Sequence, residues 1–443
     1  MSSLPFGWSE GPLGGVCRIV SGATPKTGDA RLWGGGIPWL TPNDMSRDRS
    51  QTLVVGERSL TQAGYDSCSA KMFPAGSVVV SSRAPVGYVA IAGQDMCTNQ
   101  GCKTAVRPEI IDSRYLYWYL VAAKPDLEAR ASGTTFKEIS SKRFAETRLR
   151  WPELDKQRRI VEILEDHLSR LDAAGEYESI ALRRIASLRE ELVRRAVTGA
   201  DEPGGRHVAD LADVGTLDGK LPALPSGWAW QRLGEIAEVV GGVTKDAKRQ
   251  SLPGLVEVPY LRVANVQRAG LRLDQVTTIR VTPEKARALR LEPGDLLLNE
   301  GGDRDKLARG WVWQGEIDPC IHQNHVFRAR LRVEVDPYFV SCTANTIGGS
   351  WAERNGKQSV NLASISLSMI RRMPVIVPPA GVSQAITGRL QDQLAETARL
   401  ASATEAAGRR RDGLRRAVLA GAFEGKLTGR RADAELIEEL AAV

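Results

Sequence analysis

The chain contains an internal duplication, and this feature restricts its fold more than any other. Near the start stands Leu4-Pro5-Phe6-Gly7-Trp8, and Leu224-Pro225-Ser226-Gly227-Trp228 repeats its pattern far downstream. The same register brings Val78-Val79-Val80 opposite Leu296-Leu297-Leu298. Because both the order and the residue types repeat, the sequence predicts two copies of one structural unit, each taking about half of the chain.

Each copy reads as a β-rich globule followed by a long helix. The two apolar runs follow a glycine turn, which is the pattern of buried strands. Short helices are predicted at residues 114–123 and 337–347, and each globule closes with a strand that ends at a proline, Pro152 or Pro378. We therefore expect an α+β fold with two pseudo-symmetric α/β domains.

Two long amphipathic helices are predicted at residues 157–199 and 382–421, where apolar side chains recur at steps of three and four. Gly175 is expected to bend or break the first helix. Two apolar faces need a partner, so we expect an antiparallel coiled coil; a core helix pair inside one large domain is the alternative. The predicted packing residues are Ile160, Ile163, Leu164, Leu168, Leu171, Ile185, Leu188, Leu192, Ile386, Leu390, Leu394, Leu414 and Val418.

These patterns divide the chain into six segments. The expected boundaries are 1–155 for the first globular domain, 156–200 for the first long helix, 201–223 for a Pro/Gly-containing linker, 224–380 for the second globular domain, 381–429 for the second long helix and 430–443 for a short C-terminal tail.

Composition excludes some classes of protein. No apolar run approaches the ~18 residues of a transmembrane helix, and the N-terminus has neither the basic nor the apolar region of a secretory signal. The six cysteines are scattered without a CxxC pair, which argues against a disulfide framework and favours a reducing cytoplasm. The net charge of +7 is compatible with nucleic-acid binding but is weak support for it.

Motifs for catalysis are missing from the sequence. It has no P-loop, no GxGxxG before a helix, no HExxH, no GxSxG and no Asn/Asp-Pro-Pro-aromatic tetrapeptide of an amino-methyltransferase. Cys320 to His325 is the one segment that suggests a metal. The first copy, aligned with Gln100 opposite Gln323, has no histidine there, so we expect no metal site.

Binding is the remaining use for a duplicated scaffold. The loops of both copies mix Lys and Arg, which suit phosphate contacts, with Asn, Gln and Thr, which suit base edges. For any single basic residue a solvated surface charge is the alternative, and for Thr24 and Thr244 it is turn capping. The candidate DNA contacts are Thr24, Lys26, Thr41, Asn43, Arg83, Asn99, Gln100 and Lys103 in the first copy, and Thr244, Lys245, Arg262, Asn265, Asn299, Arg304, His322, Gln323 and Asn324 in the second.

The chain as a whole resembles the specificity subunit of type I restriction–modification systems. The residues that carry the resemblance are the doubled openings, the Gln157-Arg158-Arg159-Ile160-Val161 start of the first long helix, and Leu414 to Leu427, which contains Ala422-Phe423-Glu424-Gly425-Lys426-Leu427. The family's acidic residue before the helix glutamine is replaced by Lys156 and Ser383. The first helix also lacks the extension that follows the second.

The resemblance implies a function. Each globule would be a target recognition domain for one half of a bipartite, asymmetric double-stranded DNA sequence, and the coiled coil would set the unread spacer. The subunit would be non-catalytic and without a cofactor. It would join two modification subunits, which use S-adenosylmethionine, and restriction subunits, which use ATP and Mg²⁺. Two alternatives stay open: a divergent nuclease or methyltransferase, and a coiled-coil adaptor that never contacts DNA.

Overall fold

The structure is a computed structural model that describes residues 4–133, 137–207, 211, 215–246, 251–358 and 363–427, the side chain of Asp305 excepted. The predicted tail and parts of the predicted linker lie outside the described residues. The chain divides into two compact units, Met1–Ile180 with Thr404–Val443, and Ala181–Ala403. Each unit contains one globular domain, the beginning of one long helix and the end of the other.

The first globular domain is built on a five-stranded sheet and a three-stranded sheet. The spatial order of the larger sheet is Ile19–Ser21, Cys102–Ala105, Val78–Ser82, Val86–Ala92 and Thr52–Leu53; that of the smaller sheet is Arg58–Leu60, Trp33–Leu40 and Cys97–Thr98. A separate antiparallel pair joins Ser9–Pro12 to Arg148–Trp151. The α-helices are Leu13–Val16, Pro42–Arg47, Gln62–Asp66, Ser113–Ala122, Lys124–Arg130 and Ser141–Ala145.

The second globular domain repeats this plan. Its four-stranded sheet has the order Ala237–Val240, Val326–Leu331, Leu296–Asn299 and Gly310–Val312; its three-stranded sheets are Thr277–Val281, Val256–Leu261 and Ile321–His322, and Gly301–Gly302, Ala363–Ser364 and Lys357–Gln358. The two-stranded pairs are Ala229–Arg232 with Pro374–Val377, Val266–Gln267 with Gly270–Leu271, and Arg206–His207 with Leu224–Pro225. The helices are Leu233–Ile236, Pro283–Ala288, Pro337–Thr343, the π-helix Ala344–Gly348, Gly349–Asn355 and Leu367–Ile370.

Strand register shows that the two domains are structural repeats and corrects their alignment. Leu40 pairs with Thr98 in the first domain, and Leu261 pairs with His322 in the second, both in parallel. Thr98 therefore corresponds to His322. The expected alignment of Gln100 with Gln323 is wrong by one residue, because Gln323 occupies the position of Asn99. The metal argument is unaffected, since the first domain still offers no histidine.

The central strand of each large sheet has apolar side chains on both faces, as the apolar runs predict. Val78 and Val80 join the core that contains the helix Ser113–Ala122, whereas Val79 joins a second core on the other face. In the second domain, Leu296 and Leu298 likewise belong to one core and Leu297 to another on the opposite face. Trp8 and Trp228 also lie in these cores.

The long helices extend over Leu154–Thr198 and Val382–Phe423. In the first unit they are antiparallel, because Glu178 contacts Arg411 while the earlier Asp172 contacts the later Arg415. The first helix continues without interruption through Gly175, so the expected break is wrong. A Cβ at this position would stand 2.4 Å from the Arg411 guanidinium, and the glycine thus leaves room for the Glu178–Arg411 ion pair.

Most of the predicted packing residues turn away from water, but one does not. Ile160, Leu164, Leu168, Ile386, Leu390 and Val418 are buried, and Ile163, Leu171, Ile185, Leu192, Leu394 and Leu414 are half-buried. Leu188 is 47% exposed, which corrects its assignment as a packing residue. In the same unit the inward positions of the second helix are Thr397 and Ala401, whose short side chains leave a leucine uncovered.

Candidate nucleic-acid interface

In the first domain, three loops meet at one edge of the small sheet. The Ala23 amide donates to the Thr98 carbonyl at 2.9 Å, and the Asn99 amide donates to the Leu40 carbonyl at 3.0 Å. The segment around Gly22 approaches so closely that a Cβ there would lie 2.0 Å from the Thr98 oxygen. These contacts bring the loops that begin after residues 22, 40 and 98 together.

Four of the predicted contacts in this domain share one open cavity of about 480 Å³. Its lining includes Thr41, Asn43, Arg83 and Asn99. The Asn99 side chain accepts from the Gly101 amide at 2.9 Å, which stiffens the loop. Thr24 and Gln100, joined by a hydrogen bond from the Thr24 hydroxyl to the Gln100 amide oxygen, belong to the same loop cluster, and Lys26 is exposed.

Two predicted residues of the first domain have structural tasks instead. Thr41 caps the helix Pro42–Arg47: its hydroxyl donates to the Asp44 carboxylate at 2.6 Å and accepts from the Asp44 amide. Lys103 is buried and donates to the Gln100 carbonyl at 3.2 Å. Both are corrected to positioning residues, because their polar atoms are turned into the fold.

Arg58 was missed by the sequence reasoning. It lines the same cavity, and its guanidinium carbon lies 3.4 Å from the centre of the Trp33 ring. Strand alternation gave no signal for Arg58, because residues two apart on a strand share a face and Leu60 is buried. The position of Arg58 opposite Trp39 on the neighbouring strand is known only from the structure. A basic side chain held on an aromatic ring at the rim is suited to a phosphate or base contact.

The second domain assembles the same loops with other side chains. The Val243 amide donates to the His322 carbonyl at 2.9 Å, and the Gln323 amide donates to the Leu261 carbonyl at 2.9 Å. Thr244 and Lys245 are exposed beside them, and Arg262, Gln323 and Asn324 are half-buried. The structure therefore brings these five predicted contacts to the edge that corresponds to the first domain's loop cluster.

Three predicted contacts in the second domain are buried and hydrogen-bonded within the fold. Asn265 donates to the carbonyls of Arg272 and Gln275 at 2.9 and 3.0 Å. Asn299 donates to the carbonyls of Val263 and Val266, and His322 contacts the Val326 carbonyl through Nδ1 at 2.6 Å. The sequence pattern could not separate these buried side chains from those of the rim, and they are corrected to structural residues.

Arg304 lies in a long connection that the first domain lacks. Only Arg83, Ala84 and Pro85 separate the strands Val78–Ser82 and Val86–Ala92, whereas ten residues separate Leu296–Asn299 from Gly310–Val312. Arg304 is exposed but ties this connection to the domain, donating to Gln358 at 3.0 Å and to the Glu353 carbonyl at 3.2 Å. His325, missed by the sequence reasoning, is also exposed and contacts Glu300 at the base of the connection.

The electrostatics favour binding over nucleophilic chemistry at this edge. Burial raises the pKa of Cys97 and of Cys320 to about 12, so both thiols stay protonated at neutral pH. Burial lowers the pKa of His322 to about 4, which keeps its imidazole neutral. Within the described residues, no group of three or more His, Cys, Asp or Glu side chains is placed to hold a metal ion. The described helices also include none with the length and apolar character needed to cross a membrane.

Comparison with known proteins gives this interface its context. Residues 5–181 match the family model described as type I restriction modification DNA specificity domain. The MjaIX specificity subunit of Methanocaldococcus jannaschii is 26% identical over 87% of this chain and 86% of its own. The StySPI specificity subunit of Salmonella potsdam is 23% identical over 96% of this chain and 90% of its own.

Solved structures agree with the fold. The HsdS subunit from Thermoanaerobacter tengcongensis covers 96% of this chain and 99% of its own, at 18% identity and a TM-score of 0.58. A chain from a type I restriction–modification system, studied for complex assembly and conformational transition, covers 96% and 100%, at 17% identity and a TM-score of 0.69.

These comparisons support a specificity subunit of a type I restriction–modification system. A specificity subunit recognises DNA sequence for its complex and is not the catalytic subunit. The exposed loop residues of the two domains are accordingly the candidates for that recognition.

Proposed function

We propose that each globular domain of this specificity subunit reads one half of a bipartite, asymmetric double-stranded DNA sequence, and that the paired long helices fix the length of the unread spacer. The observation that carries the proposal is the loop cluster: the two domains hold it with equivalent backbone hydrogen bonds and place different side chains on it. A shared scaffold with unlike polar groups is what reading two unlike half-sites requires.

The contacts proposed for DNA are the residues that remain accessible at the two clusters. In the first domain they are Lys26, Asn43, Arg83, Asn99 and Gln100, with Arg58 added; in the second they are Thr244, Lys245, Arg262, Arg304, Gln323 and Asn324. Thr24 and His325 lie beside them and contact the amides of Gln100 and Asn324. The lysines and arginines supply phosphate contacts, and the amides and Thr244 supply hydrogen bonds to base edges.

The boundaries expected from the sequence are retained as proposals for the functional parts. Residues 1–155 and 224–380 are the recognition domains, and residues 156–200 and 381–429 are the spacer helices. The subunit joins two modification subunits, which methylate with S-adenosylmethionine, and restriction subunits, which use ATP and Mg²⁺; it holds no cofactor of its own. The complex acts in the cytoplasm, the compartment that the scattered cysteines favour.

Selection from a random duplex library tests the proposal. The chain is purified with its modification subunits, and bound duplexes are sequenced. We expect two enriched segments separated by a fixed spacer, and an affinity that falls steeply with salt as phosphate contacts are screened. A complex that binds no duplex, as an adaptor would, or that binds without enriching a bipartite sequence contradicts the proposal. Nuclease or methyltransferase activity of the chain alone supports the enzyme alternative.

A further inference from the structure

The two loop clusters place a side-chain amide at the same position. Gln100 follows Thr98 by two residues, and Asn324 follows the corresponding His322 by two. The turns are held alike: the Cys102 amide donates to the Asn99 carbonyl at 3.2 Å, and the Val326 amide donates to the Gln323 carbonyl at 2.9 Å. Both side-chain amides are therefore attached at equivalent backbone positions, although the side chain of Gln100 is longer than that of Asn324 by one methylene.

In the first domain, a threonine fixes which way the amide faces. The Thr24 hydroxyl donates to the amide oxygen of Gln100. This oxygen is the acceptor end of the side chain, so the amino group, with two N–H donors, is the end left for a ligand. Gln100 is exposed, so that amino group is accessible.

In the second domain, a histidine holds the opposite end. The amino nitrogen of Asn324 lies 3.3 Å from Nε2 of His325, and Nδ1 of His325 contacts the Glu300 carboxylate. A carboxylate can only accept, so Nδ1 donates to Glu300, and Nε2 is the atom that accepts from the amino group of Asn324. One N–H of Asn324 is thereby occupied, and its amide oxygen and second N–H are left for a ligand.

The backbone holds the Glu300–His325 pair in place. The Glu300 amide donates to the His325 carbonyl at 3.0 Å, and the Ile365 amide donates to the Glu300 carbonyl at 2.8 Å. In the first domain the position of His325 is Gly101, so no ring can act on Gln100 there. The difference between the two amides thus follows from residues outside the amides themselves.

We propose that Gln100 and Asn324 are equivalent base-reading residues whose amides are held in opposite polarity, by Thr24 in the first domain and by the Glu300–His325 pair in the second. The proposal rests on the proposed function and adds a specificity to it. Two donors at Gln100 match the O6 and N7 acceptors of guanine, whereas an acceptor beside a donor at Asn324 matches the N6 donor and N7 acceptor of adenine. Thr24, Glu300 and His325 act through the amides and are positioning residues.

The test is the same library selection, made with the full chain in complex with its modification subunits. Thr24→Val keeps the shape of the threonine and removes its donor. We expect the preference for guanine at one position of the first half-site to fall about tenfold, since a good bidentate contact discriminates by roughly that amount or more. His325→Ala should lower the preference for adenine at one position of the second half-site to a similar extent.

Each variant carries its own control, because the half-site of the other domain should keep its preferences. Thr52→Val, at an exposed threonine away from the loop cluster, is the matched control for the chemical change. The amide assignment is overturned if the wild-type complex selects a bipartite sequence and the base preferences of both variants stay within twofold of the wild-type values at every position. It is also overturned if a variant lowers the base preference equally at all positions of a half-site. A wild-type complex that selects no bipartite sequence overturns the proposed function, and the amide assignment with it.

Discussion

The two globular domains close their cores with aromatic rings from different parts of the chain. In the first domain Tyr115 meets the ring of Phe423, from the end of the second long helix, at 5.3 Å between centroids. In the second domain the corresponding ring, Phe339, meets Trp228 of the domain's own opening segment at 5.8 Å. Three residues of the extension that the first helix lacks, Ala422, Phe423 and Leu427, are therefore part of a domain core.

The domains differ again at the edge that carries the candidate interface. Thr98 in the first domain corresponds to His322 in the second. The three-residue connection 83–85 of the first domain corresponds to the ten-residue connection 300–309 of the second. The strands beneath are in the same order in both. The duplicated scaffold therefore accepts different loops, and a different aromatic contact in its core, in each of the two domains. Two domains that recognise different half-sites need this variability.

Truncating Phe423, whose ring the second long helix contributes to the first domain's core, should have the largest effect. Phe423→Ala leaves a cavity beside Tyr115 and Tyr119, and truncation of a buried Phe costs about 3–5 kcal/mol. Hydrogen exchange read by mass spectrometry should show faster exchange in Ser113–Ala122 and unchanged exchange in Pro337–Thr343.

The control is Glu202→Ala, at a residue that lies beyond the end of the first long helix at Thr198. It removes only a surface ion pair to Arg389, worth at most about 0.5 kcal/mol. If Phe423→Ala and Glu202→Ala increase hydrogen exchange in their own units by equal amounts, the two domains do not differ in how their cores are closed.

Lowering the pH should destabilise the second domain more than the first, because of His322. Its pKa of about 4 in the folded chain lies below the 6.5 of a free imidazole, because burial disfavours the charged ring. The unfolded chain therefore binds the proton first, and the stability that neutral His322 retains above pH 6.5 is lost as pH falls towards 4. The loss is about 3 kcal/mol for the second domain by pH 4.

The matched variant is His322→Thr, which installs the residue that stands at Thr98. Its absolute stability is expected to be lower because of the lost volume, but hydrogen exchange in the second domain should change less between pH 7 and pH 4 than in the wild type. An unchanged pH dependence in this variant would show that another group is responsible.

The smallest expected difference concerns two ion pairs: Glu178–Arg411, which joins the long helices, and Glu202–Arg389, which joins the second long helix to the segment after the first. Glu178 and Arg411 contact at 2.6 Å, and their side chains are 19% and 26% exposed; Glu202 and Arg389 contact at 2.7 Å with Arg389 62% exposed. Double-mutant cycles should give a coupling of about 1 kcal/mol for the first pair and at most about 0.5 kcal/mol for the second. Equal couplings would contradict the role assigned to Gly175 in making room for the first pair.

The sequence was sufficient for the scaffold because its signals are repeated and periodic. The doubled opening, the buried runs at Val78 and Leu296 and the spacing of the long helices each depend on the strand or helix period, and the structure has the corresponding elements. Gly175 shows the limit of local rules: its helix cost is offset by a contact with Arg411, which lies more than two hundred residues away in the chain.

The candidate site was less predictable because polarity does not reveal direction. Asn299 and Asn324 are both asparagines in loops or at strand ends, yet one is fully buried under backbone carbonyls and the other stands at the rim. His325 was passed over because its partner Glu300 is distant in sequence. Which polar side chains face outward depends on loop packing, and the one-residue error in aligning Gln100 moved the comparison to the wrong neighbour.

Exchange of one domain tests the central claim most directly. Residues 1–150 are replaced by the corresponding domain of a type I specificity subunit with a different target, and the methylated sites of the assembled complex are sequenced. We predict that one half-site changes to that of the donor while the other half-site and the spacer stay the same. A change in both half-sites, or in neither, would contradict the account of two independent readers on one duplicated chain.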